Sequence, residues 1–96
     1  MLTDDSIVVA APDQIACDLQ GELLILNAAS GVYYGLDSVG KRIWDLLRQP
    51  RSVRAIRDVI QEEYDVDPER STQDLQALLG DLAGHGLIEV KTAPAP

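Results

Sequence analysis

The stretch GVYYGLDSVGKRIWDLL, residues 31–47, changes its period half-way along, and that change decides the fold. Val32, Tyr33, Tyr34 and Leu36 are β-branched, aromatic or aliphatic residues set around a glycine, the composition of a strand. From Val39 onward the apolar residues are Val39, Ile43, Leu46 and Leu47, spaced i, i+4, i+7 and i+8, which is one face of a helix. Asp37 or Ser38 stands where an N-cap acceptor is needed. A strand therefore feeds directly into a helix.

Upstream, residues 14–20 alternate. Ile15, Cys17 and Leu19 fall on one side and Gln14, Ala16, Asp18 and Gln20 on the other, the pattern of a half-buried strand. Gly21 offers a turn, and Leu23, Leu24, Ile25 and Leu26 form a continuous apolar run expected to be an interior strand covered on both faces. With a further turn over residues 27–31, the segment 32–36 completes an antiparallel meander. Ile7, Val8 and Val9 are expected to add a short outer strand within an N-terminal segment, residues 1–10.

Downstream, helix one ends near Gln49 and Pro50. Ser52 caps helix two, whose Val53, Ile56, Ile60 and Tyr64 make an apolar stripe. Asp67 and Pro68 suit the cap and first turn of helix three, where Leu75, Leu78, Leu79 and Leu82 recur at helical spacing until Gly84 and Gly86 stop it. A last short strand is expected over residues 87–90 and a disordered tail over 91–96. The expected fold is α+β and winged helix-turn-helix-like: a three-stranded antiparallel sheet followed by three helices, in one domain over residues 11–90.

Composition narrows the function classes. The 96 residues are 46% hydrophobic and 25% charged, ordinary for a globular chain, with a formal net charge of −8. That charge disfavours nucleic acid and anionic membranes. Cys17 is the only cysteine, so an internal disulfide and a multi-thiolate zinc site are excluded, and a reducing cytoplasm is the expected location. The N-terminus lacks a basic region ahead of an apolar run, and no run approaches the ~18 residues of a membrane span, so neither export signal nor anchor is expected.

Candidate catalytic groups are sparse. His85, the single histidine, reads as a surface residue near a helix C-terminus, and Cys17, on the apolar phase of a strand, as small core filler rather than a nucleophile. Glu62, Glu63, Asp65 and Asp67 straddle a helix end and lack the ordering of a calcium loop. The glycines follow no phosphate-cradling spacing. No enzyme activity, cofactor or metal is expected.

Six of the eight cations, Lys41, Arg42, Arg48, Arg51, Arg54 and Arg57, lie on helices one and two or between them. A helix-turn-helix DNA reader places the following helix in the major groove, and here that helix carries Glu69, Asp74 and Asp81 against Arg70, the wrong sign for phosphate. The basic surface is either a solvated face or a contact for an acidic protein surface.

The third strand remains. If it is an edge, the free N–H and C=O groups of residues 32–36 can pair with an added peptide strand. Helix three then forms a second wall, with leucines as apolar anchors and Asp74 or Asp81 as rim acceptors. The competing reading is that both tyrosines and all these leucines fill the core.

The ordered set Leu24-Ile25-Leu26, Gly31-Val32-Tyr33-Tyr34-Gly35-Leu36-Asp37, Gly40, Ile43-Trp44-Asp45-Leu46-Leu47, Tyr64-Asp65-Val66, Asp74-Leu75, Leu78-Leu79, Leu82 and Gly86-Leu87-Ile88 resembles the PqqD family of peptide-recognition domains. The resemblance runs over residues 11–90. Within the family, the Tyr33-Tyr34-Gly35-Leu36-Asp37 segment and the stand-alone length look most like the leader-binding members of lasso-peptide biosynthesis; PqqD proper often has asparagine where Asp37 stands.

The resemblance implies a RiPP recognition element, a non-catalytic adaptor that takes the leader of a ribosomally made precursor as an added strand on its third strand, packed against its third helix. The residues it marks for leader binding are Val32, Tyr33, Tyr34, Gly35, Leu36, Asp74, Leu75, Leu78, Asp81 and Leu82. The implied partner enzyme is a leader-cleaving cysteine protease, with an ATP-dependent cyclase acting later; a radical enzyme is the partner in the PqqD alternative, and a winged-helix DNA-binding regulator is the further alternative. Arg51, Arg54 and Arg57 are assigned as the enzyme-docking face.

Overall fold

The computed structural model describes residues 2–12 and 14–91. Six strands and three helices follow one another as β1 (Ile7–Ala10), β2 (Gln14–Leu19), β3 (Glu22–Asn27), β4 (Val32–Leu36), α1 (Ser38–Leu46), β5 (Arg51–Ser52), α2 (Val53–Glu63), α3 (Pro68–Gly84) and β6 (Ile88–Lys91). The expected meander is present as an antiparallel sheet in the order β2-β3-β4, and three helices follow it.

A second sheet, unexpected from the sequence, has the order β5-β1-β6. The strand expected at residues 7–9 as an outer one is therefore the central strand of this sheet, pairing with β5 through Ile7 and Val8 and with β6 from Ile7 to Ala10. Its backbone also fastens the helices: Ala10 N–H donates to the Leu47 carbonyl at 2.8 Å, and Val53 N–H to that of Ser6 at 3.0 Å. Lys91, expected in the tail, ends β6. The rest of that tail, residues 92–96, lies outside the described residues.

The helix starts follow from side-chain acceptors. Asp37 Oδ1 accepts the Gly40 amide at 2.8 Å, Ser52 Oγ that of Ala55 at 3.1 Å, and Asp67 Oδ1 that of Glu69 at 3.2 Å. Each satisfies one of the donors a helix start leaves unpaired. Gly40 has a steric reason: a Cβ there would stand 3.1 Å from Leu36 Cβ, tighter than an ordinary contact, so any side chain at this position presses on the end of β4.

The core draws Leu23, Ile25 and Leu36 from the meander, Ile43, Trp44, Leu46 and Leu47 from α1 and its end, Val53, Ile56 and Ile60 from α2, Leu75, Leu79 and Leu82 from α3, and Val8 and Ile88 from the second sheet. Only one face of the meander is covered. Leu23 and Ile25 are buried, whereas Leu24 and Leu26 on the opposite face are only half-buried, which corrects the expectation of a strand enclosed on both sides. The apolar phase of β2 points the same uncovered way: Ile15 is 59% and Leu19 52% exposed, and Cys17 is exposed rather than core filler. Period two gave the strand; it did not say which phase met the helices.

Candidate functional site

Among the described residues, β4 has a strand neighbour on one side only, β3, with Ile25 opposite Tyr34 and Leu26 opposite Tyr33. Along its other side every second residue turns an N–H and a C=O away from the sheet. Alternation divides the side chains. Val32, Tyr34 and Leu36 face the helices, while Tyr33, at 66% exposure, and Gly35 face outward.

An open groove of about 580 Å³ runs beside this edge. Its floor is apolar, made by Leu36, Val39 and Ile43 from the β4–α1 junction, Ile60 from α2, Val66 from the α2–α3 connection, and Leu75 and Leu78 from α3. Asp37, Asp67, Arg70, Ser71 and Asp74 supply the polar rim. Toward the other end of β4 the two walls meet. Tyr34 Oη donates to Asp81 Oδ2 at 3.3 Å, the Tyr34 ring lies 5.6 Å from the His85 imidazole, and Asn27 Nδ2 donates to the His85 carbonyl at 3.2 Å. Burial, reinforced by the Asp81 carboxylate, raises the pKa of Tyr34 above that of a free tyrosine, so the hydroxyl stays a neutral donor.

The geometry brings together Tyr34, Gly35, Leu36, Asp74, Leu75 and Leu78 around one groove. It separates others assigned to the same role. Leu82 has 0% exposure and belongs to the core: it stands on the same helix face as Leu78 but one turn further along, level with the Tyr34–Asp81 contact where the groove ends. Asp81 is held by Tyr34 beyond the groove lining, and Tyr33 lies on the opposite face of the strand. Val39, Gly40, Ile43, Ile60, Val66, Asp67, Arg70 and Ser71 line the groove without having been marked for it. Val39, Ile43 and Ile60 carry no sequence signal that separates groove floor from core, since both demand the same aliphatic side chains. Val66 is the exception: it is an exposed apolar residue set between two aspartates, Asp65 and Asp67, in the short connection ahead of α3.

The arginines assigned to docking are already engaged. Arg57 Nη1 pairs with Asp4 at 2.8 Å, Arg54 with Asp5 at 3.3 Å, and Arg51 Nε donates to the Leu46 carbonyl at 2.8 Å. The N-terminal acids thus neutralise much of this surface. On the neighbouring helix faces, Arg42 grips Glu63 through two parallel 2.8 Å bonds, which hold the Glu63 carboxyl below its ordinary pKa and the guanidinium above its own. Among the described residues no group of three His, Cys, Asp or Glu side chains is placed to hold a metal ion, and no helix is long and apolar enough to cross a membrane.

Comparison with known proteins adds an independent line. None of the curated proteins compared with the chain matches it. Among solved structures, TbiB1 in complex with the TbiA(beta) leader peptide is 33% identical, with a TM-score of 0.76 over 92% of this chain and 99% of that one. A lasso peptide synthetase B1 complexed with the leader peptide shares the fold at 21% identity, with a TM-score of 0.73 over 85% of this chain and 96% of its own. The family model for coenzyme PQQ synthesis protein D (PqqD) matches residues 22–88, a span that runs from β3 through β4 and all three helices into β6. The chain belongs to the PqqD family.

Proposed function

We propose that this chain is a non-catalytic adaptor that captures the leader of a ribosomally synthesised precursor peptide as an added strand on β4 and presents it to a processing enzyme. The observation that carries the proposal is the unpaired β4 edge running beside an apolar groove walled by α3. Backbone pairing supplies affinity that depends little on sequence, and the groove accepts the alternate side chains that turn toward the helices. Tyr33 and Gly35 border the side chains that turn the other way. The leader peptide bound to the relative of 33% identity supports the same occupant here.

Holding the leader raises the effective concentration of the attached precursor at whichever enzyme the adaptor meets, without altering a bond itself. The enzyme proposed is the leader-cleaving cysteine protease of lasso-peptide biosynthesis, followed by an ATP-dependent cyclase, in keeping with the resemblance of the Tyr33-Tyr34-Gly35-Leu36-Asp37 segment. Of the α2-side arginines, Arg54 is proposed to dock an enzyme, because its ion pair among the described residues is with the exposed, readily displaced Asp5.

Hydrogen exchange with and without candidate leader peptides, encoded near this chain's gene, tests capture. Saturable binding that slows exchange at the amides of residues 32–36 is the expected result. Binding that leaves those amides unprotected, or duplex DNA binding in place of peptide binding, overturns it.

A further inference from the structure

The mouth of the groove is charged unevenly. Three of its carboxylates, Asp37, Asp67 and Asp74, face a single guanidinium, that of Arg70. The three acids are not equivalent. Asp37 and Asp67 each accept a helix-capping amide. Asp74 caps nothing, its side chain is 75% exposed, and its one ion-pair partner, Arg70 Nε, stands at the 4.0 Å limit and is itself exposed. Its hydrogen-bonding capacity is therefore free for an incoming group.

Position gives that freedom a consequence. Asp74 and Leu78 are four residues apart on α3, hence on one face, and both line the groove. A peptide whose apolar side chain rests on Leu75 and Leu78 passes a neighbouring side chain across Asp74. Aliphatic floors discriminate by size and leave sign unread. A carboxylate at the lip reads sign.

We propose that the groove is charge-selective: its occupant is an extended peptide that sets a lysine or arginine against Asp74, at a fixed offset from the side chain on the apolar floor, and a glutamate or aspartate there is rejected. This rests on the leader-capture proposal and adds to it a property of the leader. An exposed pair of this kind discriminates by about two- to fivefold in affinity, and partial desolvation by the bound strand carries the factor toward about tenfold. The chain's net charge of −8 acts in the same direction at longer range, speeding the approach of cationic peptides in low salt.

The test is a random-peptide display library panned on the immobilised full chain and, separately, on Asp74→Arg, a change at an exposed position that leaves the floor intact. The expected outcome on the wild-type chain is a shared apolar spacing with Lys or Arg enriched at one offset from it. On Asp74→Arg the apolar spacing persists and that offset turns to Asp or Glu. Synthetic Lys and Glu versions of one selected peptide should differ about two- to tenfold in Kd in dilute buffer and converge at about 0.5 M salt. A shared apolar spacing with no charge preference, or with a preference that Asp74→Arg leaves unchanged, overturns charge selection while capture stands. Failure of both proteins to enrich any apolar spacing overturns capture itself and this inference with it.

Discussion

Replacing Leu78 by glutamate separates a groove residue from a core residue most sharply. Leu78 is half-buried, packed against the core on one side and open to the groove on the other. Complete burial of a leucine side chain is worth about 1.5–3 kcal/mol, so the half that a leader would cover contributes about 1 kcal/mol to binding. Glutamate forfeits that contribution and sets an unpaired carboxylate against an apolar side chain, a further loss of about 1–3 kcal/mol. Asp74 and Asp81, four residues before and three after, repel the new charge and give it no relief. The combined loss of about 2–4 kcal/mol weakens leader affinity by roughly 30- to 700-fold. The assay is fluorescence-anisotropy titration of a labelled leader, accompanied by a circular-dichroism melt. A folded Leu78→Glu chain whose affinity stays within about twofold of wild type refutes the assignment of this wall. Leu82→Glu serves as the contrast: with no exposure to begin with, it should abolish the cooperative melt itself.

Arg54→Glu should leave leader affinity unchanged and slow leader removal by the complete processing system, measured as the initial cleavage rate; an unchanged rate removes Arg54 from docking. Asp37→Ala deletes the α1 cap and should cost about 1 kcal/mol, read as a melting temperature lower by about 4–8 °C. Glu63→Gln tests the α1–α2 clasp through pH. Because Glu63 titrates below its ordinary range when folded, its contribution is complete above that range and disappears as pH falls through the lowered value. Wild type should therefore melt above the variant at neutral pH and coincide with it in acid, and a gap that widens in acid would contradict the assignment.

The meander and the three helices were legible because each has a local cause that lies within a few residues. The period switch at Leu36, the caps at Asp37, Ser52 and Asp67, and the glycine stop after α3 all belong to this kind. Of the second sheet, the strands at residues 7–9 and 87–90 were expected, but their pairing with each other and with β5 was not legible because it has no local cause. Two residues of β5 and four each of β1 and β6 meet from distant parts of the chain, and a two-residue segment such as β5 presents no periodicity of its own. The same distinction runs through the site. β4 and the Leu75–Leu78 wall follow from local pattern, whereas Ile43 and Ile60 reach the groove only because α1 and α2 pack beneath it. Leu82 fails for the complementary reason: a leucine stripe fixes a helix face but not how far along that face the groove runs, and one turn beyond Leu78 the cleft has given way to core.

Tyr33 and Tyr34 show why one short strand can serve two surfaces. Successive side chains of a strand point to opposite faces, so adjacent tyrosines are committed to different tasks from the moment the strand forms. Tyr34 turns inward, where its hydroxyl ties β4 to Asp81 and fixes where the groove ends. Tyr33 turns outward and joins Ile15 and Leu19 on the uncovered face of the meander. A strand added at β4 inherits the same alternation. Half of its side chains enter the groove and are read by the apolar floor and Asp74, and the other half extend the outward face beyond Tyr33. Under the proposed capture, a bound strand would change the outward surface as well as fill the cleft, since the edge, the floor and the lip already stand side by side.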